Sequence, residues 1–93
     1  MTGNDIESRI AELMGEKEVR PYCADINMAL EVVRKMEQRG FDFKLKDLRP
    51  KKIYENMWRA MLRTSSGDEF TAQDENPALA ICLAALKAAD AKQ

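Results

Sequence analysis

The sequence predicts an α+β fold: a three-layer α/β/α arrangement with a small antiparallel sheet of about three strands and about three helices, in the order α-α-β-β-β-α. Three observations carry this prediction. Apolar residues recur at helical spacing near both termini and between residues 26 and 36, the spacing changes to strict alternation after Gly40, and a Ser-Gly-Asp turn separates two β-prone runs further on. With 93 residues and no Gly-rich or Ser-rich linker, the expectation is one domain spanning 1–93.

The first helix is expected in "NDIESRIAELMG", where Ile6, Ile10, Leu13 and Met14 share a face, Asn4 stands as the cap and Gly15 as the stop. "EKEVRPY" then reads as a connection, because Pro21 fixes its own φ and drives Arg20 towards extended backbone. The second helix, "DINMALEVVRKMEQRG", carries a stripe of Ile26, Ala29, Leu30, Val33 and Met36, widened by Val32, with Gly40 as its C-terminal stop.

In "FDFKLKD", Phe41, Phe43 and Leu45 face one way and Asp42, Lys44 and Lys46 the other, the pattern of a half-buried strand. A loop about Pro50 follows. "KIYENMWRAMLR" fits either a helix or a strand by periodicity; the turn after it favours a strand from about Asn56 to Arg63, with a helical first turn before it left open. Phe70 to Ala72 supplies the last strand. In "ENPALAICLAALKAADAKQ", Asn76 is the expected cap and Pro77 the first helical residue, where its missing N–H is harmless. Leu79, Cys82, Leu83 and Leu86 form one ridge of this helix, expected in the core; Ile81, Ala84 and Ala88 lie on a flatter side that packs under a neighbouring helix or meets a second subunit.

Composition excludes several functions. Fifteen basic and sixteen acidic residues give a net charge of −1, so no global field steers the chain to nucleic acid or an anionic membrane. The longest run without a polar side chain, Ala78 to Leu86, is far shorter than the roughly 20 residues of a spanning helix, and the acidic start lacks a secretory pattern. A cytoplasmic protein, with no membrane contact, is expected. Cys23 and Cys82 have no Cys or His neighbour at ligand spacing and read as reduced core thiols. The chain has no His, which removes the commonest general base; Asp68-Glu69 and Asp74-Glu75 read as turn and helix-start acids. Neither enzyme activity, cofactor nor metal is expected.

Three stretches, "YCADINMALEVVRKM", "NMWRAML" and "FTAQDENPALAICLAALKAA", resemble the phage ABA-sandwich domain family of small phage and prophage proteins. The residues that carry the resemblance include Tyr22, Asp25, Ile26, Val32, Val33, Trp58, Ala60, Pro77, Leu79, Ala80, Ile81 and Cys82, within Tyr22 to Ala89. It implies a small antiparallel sheet between helices and a phage or prophage origin, and it implies no activity. Two departures stand out. Cys23-Ala24 replaces the hydroxyl side chains of the family pattern, so the second helix leans on Asp25 for its cap, and the basic "KLKDLRPKK" has no counterpart.

The expected function is that of an accessory protein acting by protein–protein binding as a homo-oligomer, its partner a second copy or a host or phage protein. Met57 and Met61, with Ile81, Ala84 and Ala88, are the candidate interface. The alternative is nucleic-acid or nucleotide binding through the basic run from Lys44 to Lys52, with Lys44, Lys46, Arg49, Lys51, Lys52 and Arg59 as phosphate contacts and Tyr54 as a stacking ring. Trp58 is expected in the core under Leu83 and Leu86.

Overall fold

The computed structural model describes residues 3–47 and 57–91. Its elements are α1 (Gly3–Met14), α2 (Ile26–Gln38), β1 (Asp42–Asp47), β2 (Trp58–Arg63), β3 (Glu69–Asp74) and α3 (Pro77–Ala91), the expected class and order. The three strands form one antiparallel sheet in the order β1-β2-β3.

Local chemistry sets most boundaries. α1 and α2 both end in Schellman turns: Gly15 N–H donates to Glu12 C=O and Glu16 N–H to Ala11 C=O, while Gly40 N–H donates to Glu37 C=O and Phe41 N–H to Met36 C=O. Gly40 holds φ +94, a left-handed backbone that lets β1 start directly after α2. Asp25 caps α2 with extended backbone, its carboxylate accepting from Asn27 N–H at 2.8 Å. Asn4 is not the cap expected for α1, because the helix already begins at Gly3 and places Asn4 inside its first turn.

Asn76 binds three segments together. Its Oδ1 accepts from Ala78 N–H at 3.0 Å, capping α3; its Nδ2 donates to Cys23 C=O at 2.7 Å, fastening the approach to α2; and its own N–H donates to Asp74 Oδ2 at 2.8 Å at the end of β3.

α3 occupies the centre. It packs on β2 and β3, with α2 along its flank and α1 against it from a further side, where Arg9 and Asp90 form an exposed bidentate ion pair. Its buried residues therefore lie all round the helix: Ala78, Ala80, Ile81, Cys82, Ala84, Ala85, Leu86 and Ala88. The expected ridge is corrected accordingly. Cys82 and Leu86 are core, whereas Leu79 and Leu83 are only partly buried at its margin. Ile81, Ala84 and Ala88, at 1%, 0% and 0% exposure, are buried by their own chain and cannot meet a second subunit.

α2 is rotated from the stripe expected of it. It buries Ala29, Val32, Val33 and Met36 and leaves Ile26 and Leu30 exposed, because its main neighbour is α3 on the Ala29 side. On the sheet, Ala60, Leu62 and Ala72 are buried, with Phe43, Leu45 and Phe70 packed against them; Phe41 meets Phe70 edge to face. Trp58 lies on the same side of β2 by alternation, yet it is partly exposed at the first strand position and stands outside the buried cluster. Among the described residues, helices cover only this face of the sheet. The second helical layer of the expected sandwich is not among them.

Two outcomes test this packing. Ala84→Leu, adding bulk where exposure is 0%, is expected to lower unfolding free energy by about 1–3 kcal/mol in urea titrations. Asn76→Ala, losing a cap and the bond to Cys23, is expected to lose about 2 kcal/mol, with Asn76→Asp recovering only the capping share.

Candidate functional site

Strand register decides which side chains meet on the uncovered face. Three cross-strand rows run over it: Asp42, Arg63 and Glu69; Lys44, Met61 and Thr71; Lys46, Arg59 and Gln73. Arg59, Met61 and Thr71 are partly buried and the other six are exposed. Four cations against two carboxylates leave this face at net +2, on a chain whose total is −1. With the Gln73 amide oxygen turned towards β2, it accepts from Arg59 Nη2 at 2.8 Å and Nε at 3.0 Å, which holds the guanidinium across the sheet.

Alternation and register together thus unite Lys44, Lys46 and Arg59 from the expected phosphate contacts with Met61 from the expected interface. Met57 precedes β2 and is partly buried. Arg49, Lys51, Lys52 and Tyr54, and the open question of a helical turn before β2, lie outside the described residues. Thr71 and Gln73 were not singled out by sequence reasoning, which placed Asp42 only on the Lys44 side of its strand and Glu69 only among the turn acids. The turn at residues 65–67 fixes the partners of Glu69, Thr71 and Gln73 on β2, so counting back along both strands from it is the signal that finds those three; Asp42 needs the β1–β2 register as well.

The face carries no aromatic ring among the described residues, because Phe43, Trp58 and Phe70 all fall on the other side of their strands. One acid of each pair has a structural partner: Asp74 Oδ2 accepts from Asn76 N–H, and Asp68 sits in the β2–β3 turn, its carboxylate accepting from Ser66 Oγ at 3.4 Å and its N–H donating to Thr64 Oγ1 at 3.0 Å. Among the described residues no group of three or more Asp, Glu, Cys or His is placed to hold a metal ion.

The two thiols are free and buried, with Cys82 Sγ donating to Tyr22 C=O at 3.4 Å. Burial, above all, pushes both thiols up from their ordinary value of 9.0, Cys82 far beyond it, and burial likewise raises Tyr22. Such thiols stay protonated and inert at neutral pH. A raised acid binds its proton in the folded state after the unfolded chain has released it, so its stabilising effect is complete below the unfolded value and is lost as pH rises further. Unfolding free energy is therefore expected to fall as pH passes 9.0, and Cys82→Ala should make that alkaline decline shallower in guanidinium titrations at stepped pH.

Comparison with known proteins finds one family model, described as the phage ABA sandwich domain, that matches residues 4–86. No curated protein and no solved structure matches the chain.

Proposed function

Because the chain belongs to the phage ABA sandwich domain family, which makes it a small phage protein, we propose that it acts as an accessory factor by protein–protein binding, not by catalysis, in the host cytoplasm. On this reading it self-associates and presents the open face of its sheet to an acidic protein surface. The observation that supports this best is the face itself: four cations around Met61, at net +2, on a sheet side that no described helix covers.

Chemistry narrows the partner. A second copy laid face to face would bring two surfaces of the same sign together, which favours a partner of opposite charge on this side. Met61 supplies an adaptable apolar centre, and the flanking Lys and Arg side chains supply orientation. Asp74 holds the Asn76 N–H and Asp68 accepts from Ser66 in the turn, structural roles that support binding over chemistry.

Nucleic acid is the second reading, favoured by the gathering of Lys44, Lys46, Arg59 and Arg63 on one face. Among the described residues this face has no aromatic platform, which counts against it, since sequence-tolerant strand binding draws much of its affinity from stacked bases. Affinity purification from phage-infected cells, run beside an RNA and nucleotide panel, separates the two. The tagged protein is expected to capture an acidic protein that Lys46→Glu with Arg59→Glu releases, while RNA fails to bind at about 0.15 M salt. An RNA complex that weakens steeply with salt and with those substitutions would favour the second reading.

A further inference from the structure

Among the described residues, the hydrogen-bond phase of the sheet leaves one edge unpaired. Thr64 N–H donates to Asp68 C=O at 2.9 Å, so this pair is hydrogen-bonded and, by antiparallel alternation, Met61 and Thr71 are a pair that exchanges no bonds. Lys87 Nζ, from α3, confirms the phase independently: it reaches Thr71 C=O at 2.8 Å, on the outer side of β3. Carried through β2 to β1, the alternation turns Asp42, Lys44 and Lys46 towards β2 and points the N–H and C=O groups of Phe43 and Leu45 away from the sheet. Among the described residues nothing pairs with them.

The sequence of that edge is complementary to itself. In an antiparallel pairing centred on Lys44, Phe43 faces Leu45 of the second copy, so the outward backbone groups of both meet in phase. The same register sets Asp42 opposite Lys46 of the second copy, twice by symmetry, on the solvent face. Phe43 and Leu45 are only partly buried by their own chain, and a neighbouring strand would cover them further. One pair is unfavourable: Lys44 meets its own copy.

We propose that two copies join edge to edge through β1, antiparallel about a two-fold axis at Lys44, making a continuous sheet in the order β3-β2-β1-β1-β2-β3. This rests on the reading that the chain self-associates. A two-fold axis normal to the sheet keeps both sets of helices on one side and fuses the two open faces into a single basic surface. Two short strands bury far less than the roughly 800 Å² per partner of a stable complex, so the dimer is weak and concentration-dependent.

Sedimentation and light scattering over a concentration series test the pairing. Asp42→Lys or Lys46→Asp alone puts like charges opposite at two symmetric positions and is expected to weaken the dimer about tenfold. The double exchange Asp42→Lys with Lys46→Asp restores opposite charges and should return to within about threefold of the original. Lys44→Thr removes the one repulsive pair and should tighten association. Leu45→Pro removes an outward N–H, which an edge strand tolerates, and should give a folded monomer by circular dichroism.

An original chain that dimerises, with every variant dimerising equally well, overturns the edge pairing and leaves self-association standing. An original chain that stays monomeric at every concentration overturns both. A monomer whose Phe43 and Leu45 amides gain exchange protection only with poly-glutamate overturns the second copy as the occupant of this edge.

Discussion

The structure depends on one steric constraint: α3 is enclosed by the sheet and both other helices, and a helix enclosed on nearly every side must carry small side chains on most of them. Alanine meets that need at 78, 80, 84, 85 and 88. Each alanine removes little apolar area from water, so much of the large-side-chain burial comes from residues around the helix, including Tyr22, Ile10, Met36, Leu62 and Val32. The same enclosure confines the exposed residues of α3 to its C-terminal end, at Lys87, Asp90 and Ala91. The charged cross-strand rows lie on the far side of the sheet from it.

What the sequence revealed about the fold follows the range of the interactions involved. Asp25, Gly15 and Gly40 act on backbone within a few residues, and the change of period after Gly40 is equally local, so α2 and β1 were legible with their boundaries. Ile26 and Leu30 show the limit. An apolar stripe tells which half of a helix is buried, but the centre of that half is set by the neighbour it meets, and α3 lies on the Ala29 side. Alanine is less informative still, being equally compatible with core and surface, and the near-uniform hydrophobicity of α3 hides its orientation. Trp58 was misplaced for a related reason: alternation gives the side of the sheet, not how far cover extends along the strand.

The open face was half legible. Alternation along β1 separates Lys44 and Lys46 from Phe43 and Leu45 without any tertiary knowledge. That Arg59 and Met61 join them required the β1–β2 register, that Gln73 meets Arg59 depends on where the 65–67 turn closes, and that Asp42 and Glu69 share a row required both ladders. The family resemblance agreed with the order of elements and offered no functional residue, so the chemistry of this face rests on the strands alone.

Lys87 bears on a hazard common to small sheet proteins. An edge strand with free backbone groups can recruit further chains without end, and a fold with two such edges can polymerise into fibres. By bonding to the outer carbonyl of Thr71, Lys87 places an ammonium charge on the backbone where another strand would have to dock. A sheet blocked in this way on one side can grow only from the other, so any addition at β1 ends after one step in a finite, symmetric particle.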